Sequence, residues 1–210
     1  MRYTGPVCRQ CRREGTKLFL KGTKCFTEKC PVERRPYAPG QHGQNTARRR
    51  KTSEYAKQLR EKQKIKRIYQ VSERQFRNTF EKVTTLPGIT GHNLLAALEM
   101  RLDNIVYRMG FAASRKAARQ LIRHRHVEVK QRTVDVPSFQ VKPGEEIRVK
   151  QASREMPLVM AAMDQSSRGA PLSWIAVDKE SYSGRMLEKP QRQSIPIAAQ
   201  EQLVVELYSK

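Results

Sequence analysis

The sequence contains little that is typical of a membrane or secreted protein. No apolar run approaches the roughly 20 residues that a membrane span needs, and the N-terminal stretch MRYTGPVC lacks the apolar segment of a secretory signal. We therefore expect a cytoplasmic protein. Disulfides are rare in that reducing compartment, so the four cysteines are expected to be metal ligands rather than disulfide partners.

Catalytic signatures are also missing. The sequence has no P-loop, no glycine-rich cofactor loop and no arrangement of a nucleophile with a base. The pair His124 and His126 is more simply explained as phosphate-contacting or structural. The single tryptophan, Trp174, is expected to lie in the core rather than to stack on a base. These absences predict a protein that is not an enzyme.

Acidic residues are scarce relative to basic ones. The 210 residues include 42 Lys and Arg but only 20 Asp and Glu, which gives a net charge of +22. This excess is far beyond what solubility requires, so it predicts a polyanionic partner. Residues 1–70 contain 20 basic and 5 acidic residues and so hold 15 of the 22 net charges. Scattered solvated lysines would not explain so uneven a distribution.

The cysteines lie in this basic region with the spacing of metal ligands, at Cys8, Cys11, Cys25 and Cys30. Two thiolate pairs joined by a short loop suit a tetrahedral site, for which Zn²⁺ is the usual metal. An iron–sulfur cluster uses the same ligand type and stays open as an alternative. We expect residues 1–45 to form a metal-binding basic arm, because few other apolar groups are available there to stabilise a fold.

The segment Phe111 to Lys150 combines a basic helix with short strands. Ser114 is a natural N-cap. The helix that follows it places four cations on one side, namely Arg115, Lys116, Arg119 and Arg123. The apolar pattern then changes to period two, which predicts strands around Val127, Val134 and Ile147. A capped helix with a basic side suits a phosphate backbone.

This segment resembles the S-four RNA-binding module. The residues that carry the resemblance are Ser114-Arg115, Ala118-Arg119, Leu121-Ile122, His124, Val127, Val129, Pro137-Ser138, Val141, Pro143-Gly144-Glu145 and Ile147. The family often has Asn-Gly in its first strand turn, where this chain has Lys130-Gln131-Arg132. The resemblance implies that the basic helix faces RNA.

Three helices are predicted before the module. The first runs from Ser53 to about Tyr69, and because lysines interrupt its apolar stripe we expect it to pack partly against RNA. The second begins at a capping box that opens at Ser72. The third is the clearest amphipathic helix of the chain and is expected to be continuous over 93–109, as the platform for the basic helix.

After Lys150 the sequence predicts a short helix over 156–163, a strand over 174–177 and a turn at Ser183-Gly184. The nearly continuous apolar run in EQLVVELY predicts that residues 201–208 form a buried strand.

Together these elements predict an α+β fold. It has a mainly helical first domain with an N-terminal metal-bound arm, and a second domain in which a helix pair packs on a small mixed β-sheet. The expected boundaries are 1–45 for the arm, 46–92 joined by 190–210 for the helical domain, and 93–189 for the S-four-type domain.

Motifs outside the module extend the resemblance to the whole chain. They are Arg2-Tyr3-Thr4-Gly5-Pro6, the four cysteines, Glu33-Arg34-Arg35-Pro36-Tyr37, Pro39-Gly40-Gln41-His42-Gly43, Ser53-Glu54-Tyr55, Leu59-Arg60-Glu61-Lys62-Gln63-Lys64, Arg101-Leu102-Asp103-Asn104 and Glu206-Leu207-Tyr208-Ser209-Lys210. The chain is thereby identified as a member of the bacterial small-subunit ribosomal protein four family.

Membership of this family implies a primary binder of small-subunit ribosomal RNA that nucleates assembly at a multi-helix junction and contributes to translational accuracy. It also implies contacts with neighbouring small-subunit proteins, especially the fifth. Messenger RNA is a further candidate partner, since some members act as translational repressors. An RNA-modifying enzyme that carries the same module is a competing class, but it needs a catalytic domain for which no sequence remains.

The residues expected to contact RNA fall into three groups. The first lies in the arm and comprises Arg12, Arg13, Arg34, Arg35, Tyr37 and His42. The second precedes or lies in the first long helix and comprises Arg48, Arg49, Arg50, Lys51, Arg60, Lys64 and Arg67. The third belongs to the module and comprises Ser114, Arg115, Lys116, Arg119, Arg123 and His124.

Overall fold

The computed structural model describes residues 3–44, 53–166 and 172–209. The chain divides into two compact units, one formed by Met1–Leu94 with Ile197–Lys210 and the other by Leu95–Pro196. Helices and a small sheet make up the described residues, so the predicted α+β class is confirmed. Over these residues no helix is both long and apolar enough to cross a membrane.

The first unit is helical. Its elements are α1 (Cys8–Glu14), α2 (Pro31–Arg34), α3 (Glu54–Tyr69), α4 (Glu73–Thr84), the beginning of α5 (Thr90–Glu99), and α9 (Glu201–Tyr208). The hydroxyl oxygens of Ser53 and Ser72 each accept a hydrogen bond from the backbone N–H three residues further on, both at 3.3 Å. These two serines are therefore the N-caps of α3 and α4, as the sequence predicts for Ser72.

Residues 201–208 form helix α9, so the predicted buried strand is wrong. Val204 is the one residue of this run that is fully buried, and its other apolar residues are half-buried, which does not fit a strand covered on both faces. The helix packs along α3, and the ring of Tyr208 lies 4.5 Å from that of Phe80 in α4. Helical geometry directs the apolar side chains of the run toward these two neighbours.

Helices α4 and α9 together account for the lysines that interrupt the apolar stripe of α3. The ammonium groups of Lys62 and Lys66 each lie 2.6 Å from a carboxylate oxygen of Glu73. The Lys62 ammonium also lies 5.6 Å from the centre of the Tyr208 ring. This side of α3 is therefore covered by protein, whereas the sequence predicts RNA in that place.

The second unit packs helices on a sheet. Its remaining elements are α6 (Leu102–Arg108), α7 (Arg115–Arg123), α8 (Pro157–Ser166), β1 (Val127–Val129), β2 (Arg132–Thr133), β3 (Glu146–Val149), β4 (Ile175–Asp178) and β5 (Ser183–Met186). The strand order is β2-β1-β3-β5-β4, and every pairing is antiparallel. The sheet is therefore not mixed, and the predicted turn at Ser183-Gly184 lies inside strand β5.

The amphipathic stretch 93–109 forms two helices rather than one, with a break at Met100 and Arg101. The backbone of Arg101 is extended and forms a β-bridge with Gln140, while the N–H of Val141 donates to the carbonyl of Met100 at 2.9 Å. A distant segment thus takes the backbone bonds that a continuous helix would use. Apolar periodicity does not reveal such a competition.

The core of the second unit confirms the predicted platform, since α7 packs on α6. Trp174 is 0% exposed, so its assignment to the core is also confirmed. Gly184 lies in β5 beside Met109, the residue that follows α6. A Cβ atom built at Gly184 would lie 2.9 Å from the sulfur of Met109 and 3.0 Å from the carbonyl oxygen of Ala176.

The turn between β1 and β2 has two residues with positive φ, Lys130 at 49° and Gln131 at 63°. Val129 and Arg132 pair on either side of them. This is the type I′ geometry that Asn-Gly adopts most easily. The chain therefore retains the tight hairpin although neither preferred residue is present.

Candidate RNA interface

Helix α7 exposes only half of its predicted cations. Lys116 and Arg123 are exposed, whereas Arg115 and Arg119 are each 6% exposed. The prediction of one exposed basic side is therefore wrong for two of its four members. Helical spacing places all four on one side, but it does not show that α6 covers part of that side. Ser114 caps the helix as predicted, accepting a hydrogen bond from the N–H of Ala117 at 3.3 Å.

The two buried arginines of α7 bind side chains of α6. Arg119 forms an ion pair with Asp103. Arg115 donates from Nε to Oδ1 of Asn104 at 2.7 Å, and its guanidinium lies 4.5 Å from the centre of the Tyr107 ring. Because both guanidinium groups are removed from water, these contacts fix the position of α7 on α6.

A second carboxylate extends the buried polar layer under α7. The side chain of Glu99 is fully buried and accepts two hydrogen bonds from Arg108, at 2.9 and 2.6 Å. Asn104 donates to the backbone carbonyl of Glu99 at 3.0 Å. Asn104 therefore connects Glu99 on one side with Arg115 on the other, and the layer is continuous.

The two histidines after α7 differ in environment. His124 is exposed, whereas His126 is half-buried with its Nδ1 atom 2.9 Å from Oγ of Ser153. Burial, followed by the nearby charges of His124 and Lys150, lowers the pKa of His126. His126 is therefore neutral and structural, while His124 faces solvent beside the exposed cations of α7.

In the arm, Arg12 is used to hold the loop after α2 in place. Its Nε donates to the carbonyl oxygens of Arg35 and Tyr37, at 3.1 and 3.0 Å, and its guanidinium lies 4.8 Å from the centre of the Tyr37 ring. The side chains of Arg13, Arg34 and Arg35 are exposed. Arg12 and Tyr37 thus position the cations that solvent can reach.

The loop that carries the exposed His42 depends on Gly43. The N–H of Gly43 donates to the carbonyl oxygen of Gly40 at 3.1 Å. A Cβ atom at Gly43 would lie 1.8 Å from the carbonyl oxygen of Ala38, a distance that no side chain tolerates. Glycine at position 43 is therefore required for the tight path of this loop.

The predicted contacts on α3 already have acidic neighbours. The side chain of Glu14 is 3% exposed and pairs with both Arg60 and Arg67. Lys64 pairs with Glu61 at 3.2 Å. The remaining predicted contacts of this group, Arg48, Arg49, Arg50 and Lys51, lie outside the described residues.

The sequence prediction missed one pair of residues that the structure makes prominent, Phe19 and Phe26. Their rings are stacked with centroids 5.0 Å apart and planes 30° apart. They are 38% and 72% exposed. Both belong to the run FLKGTKCF, where lysines lie between two aromatic residues. That interleaving is the signal that could have identified them.

The cysteines do not form an assembled metal site. None is in a disulfide, and Cys11, Cys25 and Cys30 are buried while Cys8 is half-buried. Burial raises the pKa of Cys11 to about 11, and the other three thiols add to that rise. Within residues 3–44, 53–166 and 172–209 no group of three or more Cys, His, Asp or Glu side chains is arranged to hold a metal ion. The structure thus does not support the predicted metal-bound arm.

Comparison with known proteins accounts for most of the chain. A family model described as "Ribosomal protein S4/S9 N-terminal domain" matches residues 2–99, and one described as "S4 domain" matches residues 100–147. The chain is 54% identical over 209 residues to the small ribosomal subunit protein uS4 of Thermoanaerobacter pseudethanolicus and to that of Acidobacterium capsulatum. It is 52% identical over 209 residues to that of Thermus thermophilus. Each alignment covers 100% of this chain and 99% of the relative.

Proposed function

The chain belongs to the family of small ribosomal subunit protein uS4, whose members are structural rather than enzymatic, and from this membership we propose that it binds small-subunit ribosomal RNA in the cytoplasmic ribosome. The observation that carries the proposal is identity above one half over the full length of relatives with that name. The net charge of +22 supports it independently, because phosphate neutralisation supplies most of the affinity of such complexes.

The exposed cations of the arm and of α7 are the proposed phosphate contacts. They are Arg13, Arg34, Arg35, Lys116 and Arg123, and the exposed histidines His42 and His124 belong to the same proposal. In the described part of the chain none of these five cations has a carboxylate within ion-pair distance. Their charge is therefore available to RNA, which is the condition for counterion release.

Other predicted contacts have a positioning role in this proposal. Arg12, Tyr37, Ser114, Arg115 and Arg119 hold the arm and α7 in shape through their contacts within the protein. Direct contacts from Arg60, Lys64 and Arg67 remain predictions, since acidic neighbours already neutralise part of their charge. Arg48, Arg49, Arg50 and Lys51 are proposed contacts on the strength of their charge alone.

The finer functional assignments rest on the family resemblance. We propose that the arm 1–45, the helical domain 46–92 with 190–210 and the S-four-type domain 93–189 together hold a multi-helix junction and so nucleate small-subunit assembly. Contacts with the fifth small-subunit protein, an effect on translational accuracy and binding of messenger RNA belong to the same proposal. Both units carry exposed cations, which supports contacts with more than one RNA helix.

Hydroxyl-radical footprinting on small-subunit ribosomal RNA tests this function. We expect compact protection where several RNA helices meet, with affinity that falls steeply as salt is raised. An unrelated basic protein of equal net charge is the control for charge alone. Protection spread evenly along the RNA, equal to that of the control, would contradict the proposal.

We also propose that the four thiols bind Zn²⁺, with an iron–sulfur cluster as the alternative. Thiolate is the preferred ligand type of both groups, and the backbone N–H of Lys21 donates to the sulfur of Cys25 at 3.4 Å, a contact that stabilises a bound thiolate. Because the pKa of Cys11 is raised, metal binding would release its proton. Elemental analysis with a visible spectrum distinguishes colourless zinc from absorbing iron, and protein containing neither would contradict the proposal.

A further inference from the structure

Phe19 and Phe26 form an exposed aromatic pair at the surface of the arm. Their ring centroids are 5.0 Å apart, and Phe26 is 72% exposed. Stacking of the two rings hides one face of each, while the remaining area meets water. A solvent-facing aromatic pair of this kind is typical of an interaction site rather than of a core.

The backbone holds the pair in place before any partner binds. Phe19 has φ of +51°, a left-handed conformation that is unusual for a bulky residue. Its neighbours Leu18 and Leu20 are 4% and 2% exposed, so both point inward and the Phe19 ring points outward. Strained backbone of this kind persists only where the surrounding structure determines it, and it is characteristic of binding sites.

The backbone that carries the second ring is held by a short turn. The N–H of Phe26 donates to the carbonyl oxygen of Thr23 at 3.0 Å. The N–H of Lys21 donates to the sulfur of Cys25 at 3.4 Å, which closes the turn on its other side. The backbone that carries the ring is therefore ordered before a partner binds, so little backbone entropy is lost on binding.

The charges around the pair identify the class of partner. Lys21 and Lys24 lie in the turn between the two rings, and both are exposed. In the described residues neither has a carboxylate within ion-pair distance. An apolar protein surface would not offer these cations a partner, whereas a nucleotide offers a flat base and an adjacent phosphate.

We propose that Phe19 and Phe26 form a stacking platform for one unpaired base of the bound RNA. The open face of Phe26 takes the base, and Lys21 and Lys24 neutralise the phosphates on either side of it. Base stacking on an aromatic ring tolerates any base, so the platform recognises an unstacked nucleotide rather than a sequence. This inference rests on the proposed RNA-binding function.

Substitution of Phe26 tests the platform. Phe26→Ala should weaken binding to small-subunit ribosomal RNA on the order of 10-fold, while the slope of log affinity against log salt stays unchanged because no charge is lost. Phe26→Trp should keep the affinity, since indole stacks at least as well. Leu187→Ala is the matched control, because Leu187 is a 53% exposed apolar residue of the other unit and its loss should leave affinity unchanged.

A variant of the neighbouring cation Lys24 should change the salt dependence of binding, which the Phe26 variants should leave unchanged. Lys24→Ala should reduce the salt slope by about one, unlike Phe26→Ala. In Phe26→Trp the new indole should lose fluorescence when RNA is added, and the buried Trp174 of the unsubstituted protein supplies the background signal. Circular dichroism of each variant checks that the fold is retained.

The outcomes separate this inference from the function on which it rests. If the unsubstituted protein does not bind ribosomal RNA, the proposed function fails. If it binds and Phe26→Ala binds equally well, the platform is wrong while the function stands. Two further results would also overturn the platform: a loss of RNA affinity in Phe26→Trp equal to that in Phe26→Ala, and an indole fluorescence that does not change when RNA is added. Neither result is compatible with stacking of a base on residue 26.

Discussion

Arg119 of α7 and Asp103 of α6 form an ion pair in which only 7% and 4% of the two side chains are exposed. Arg101 donates to the same carboxylate from Nη2 at 2.9 Å. One buried carboxylate thus pairs with two guanidinium groups where α6 meets α7. A cation that the sequence assigns to RNA is therefore part of the protein's internal structure.

The change Asp103→Asn should strongly destabilise the protein. It removes the negative charge that two buried guanidinium groups contact, and removal of one partner from a buried pair costs about 3 to 5 kcal/mol. Urea unfolding measures the loss in the free energy of unfolding. The matched control is Glu81→Gln, which breaks the exposed pair with Arg77 and should cost less than about 1 kcal/mol. Equal losses in the free energy of unfolding for the two variants would show that the buried pair stabilises the protein no more than the exposed pair does.

Removal of the exposed cations of α7 should affect RNA affinity without affecting stability. Lys116→Ala and Arg123→Ala should each reduce the slope of log affinity against log salt by about one. Because both side chains are exposed, urea unfolding should show changes within about 0.5 kcal/mol. Filter binding at several salt concentrations measures the slope. If neither variant changes the slope, Lys116 and Arg123 do not contact RNA phosphates, and the proposal that α7 binds RNA is wrong.

The stability of the first unit should depend on Glu73 at acid pH. Burial alone would raise the pKa of Glu73, but hydrogen bonds from Lys62 and Lys66 outweigh it and lower that pKa from 4.5 to about 2. Since the folded-state pKa is below the unfolded value, the stabilisation is present above about pH 5 and is lost between about pH 5 and pH 2. Its size is about 1 kcal/mol, allowing for the half-exposed carboxylate.

Comparison with Glu73→Gln isolates this contribution. The difference in free energy of unfolding between the two proteins should be largest near neutral pH and should shrink as the pH falls toward about 2. Lys66→Met removes one of the two lysine donors, while Lys62 and the hydroxyl of Tyr208 still donate to the carboxylate, and it should reduce the same difference in part. A difference that stays constant over this pH range would mean that the carboxylate is not stabilised by its two lysines.

Gly184→Ala should destabilise the second unit by about 1 to 3 kcal/mol, because the added methyl group meets the side chain of Met109 and the backbone oxygen of Ala176. A double-mutant cycle with Met109→Ala tests the cause. If the contact with Met109 dominates, the combined loss should be smaller than the sum of the single losses. Strict additivity would assign the loss to the backbone contact with Ala176.

Gln131→Gly should stabilise the hairpin by roughly 0.5 to 1 kcal/mol, because the residue has φ of 63° and glycine adopts that conformation without a steric penalty. Lys130 is left unchanged in this variant because its ammonium pairs with Glu145 at 3.0 Å. Arg132→Gly, which adds glycine within strand β2, is the control and should destabilise. Stability equal to that of the control would contradict the turn assignment.

Local sequence signals predicted where each capped helix begins and that Trp174 lies in the core. Ser53, Ser72 and Ser114 all cap helices, since an N-cap depends on a side chain and an amide three residues apart. Failures occurred where a distant segment intervenes. Residues 201–208 are helical because α3 and α4 lie beside them, and the break at Met100 exists because Val141 takes its carbonyl.

The RNA interface shows the same division between local and distant effects. Net charge and motif spacing, which belong to the sequence alone, predicted a polyanionic partner and identified the family of the chain, which the family models confirm. Only the tertiary structure decided that Lys116 and Arg123 face solvent while Arg115 and Arg119 face α6. Positive charge is a property of each residue, but its availability depends on which carboxylates the fold brings beside it, and those lie elsewhere in the chain.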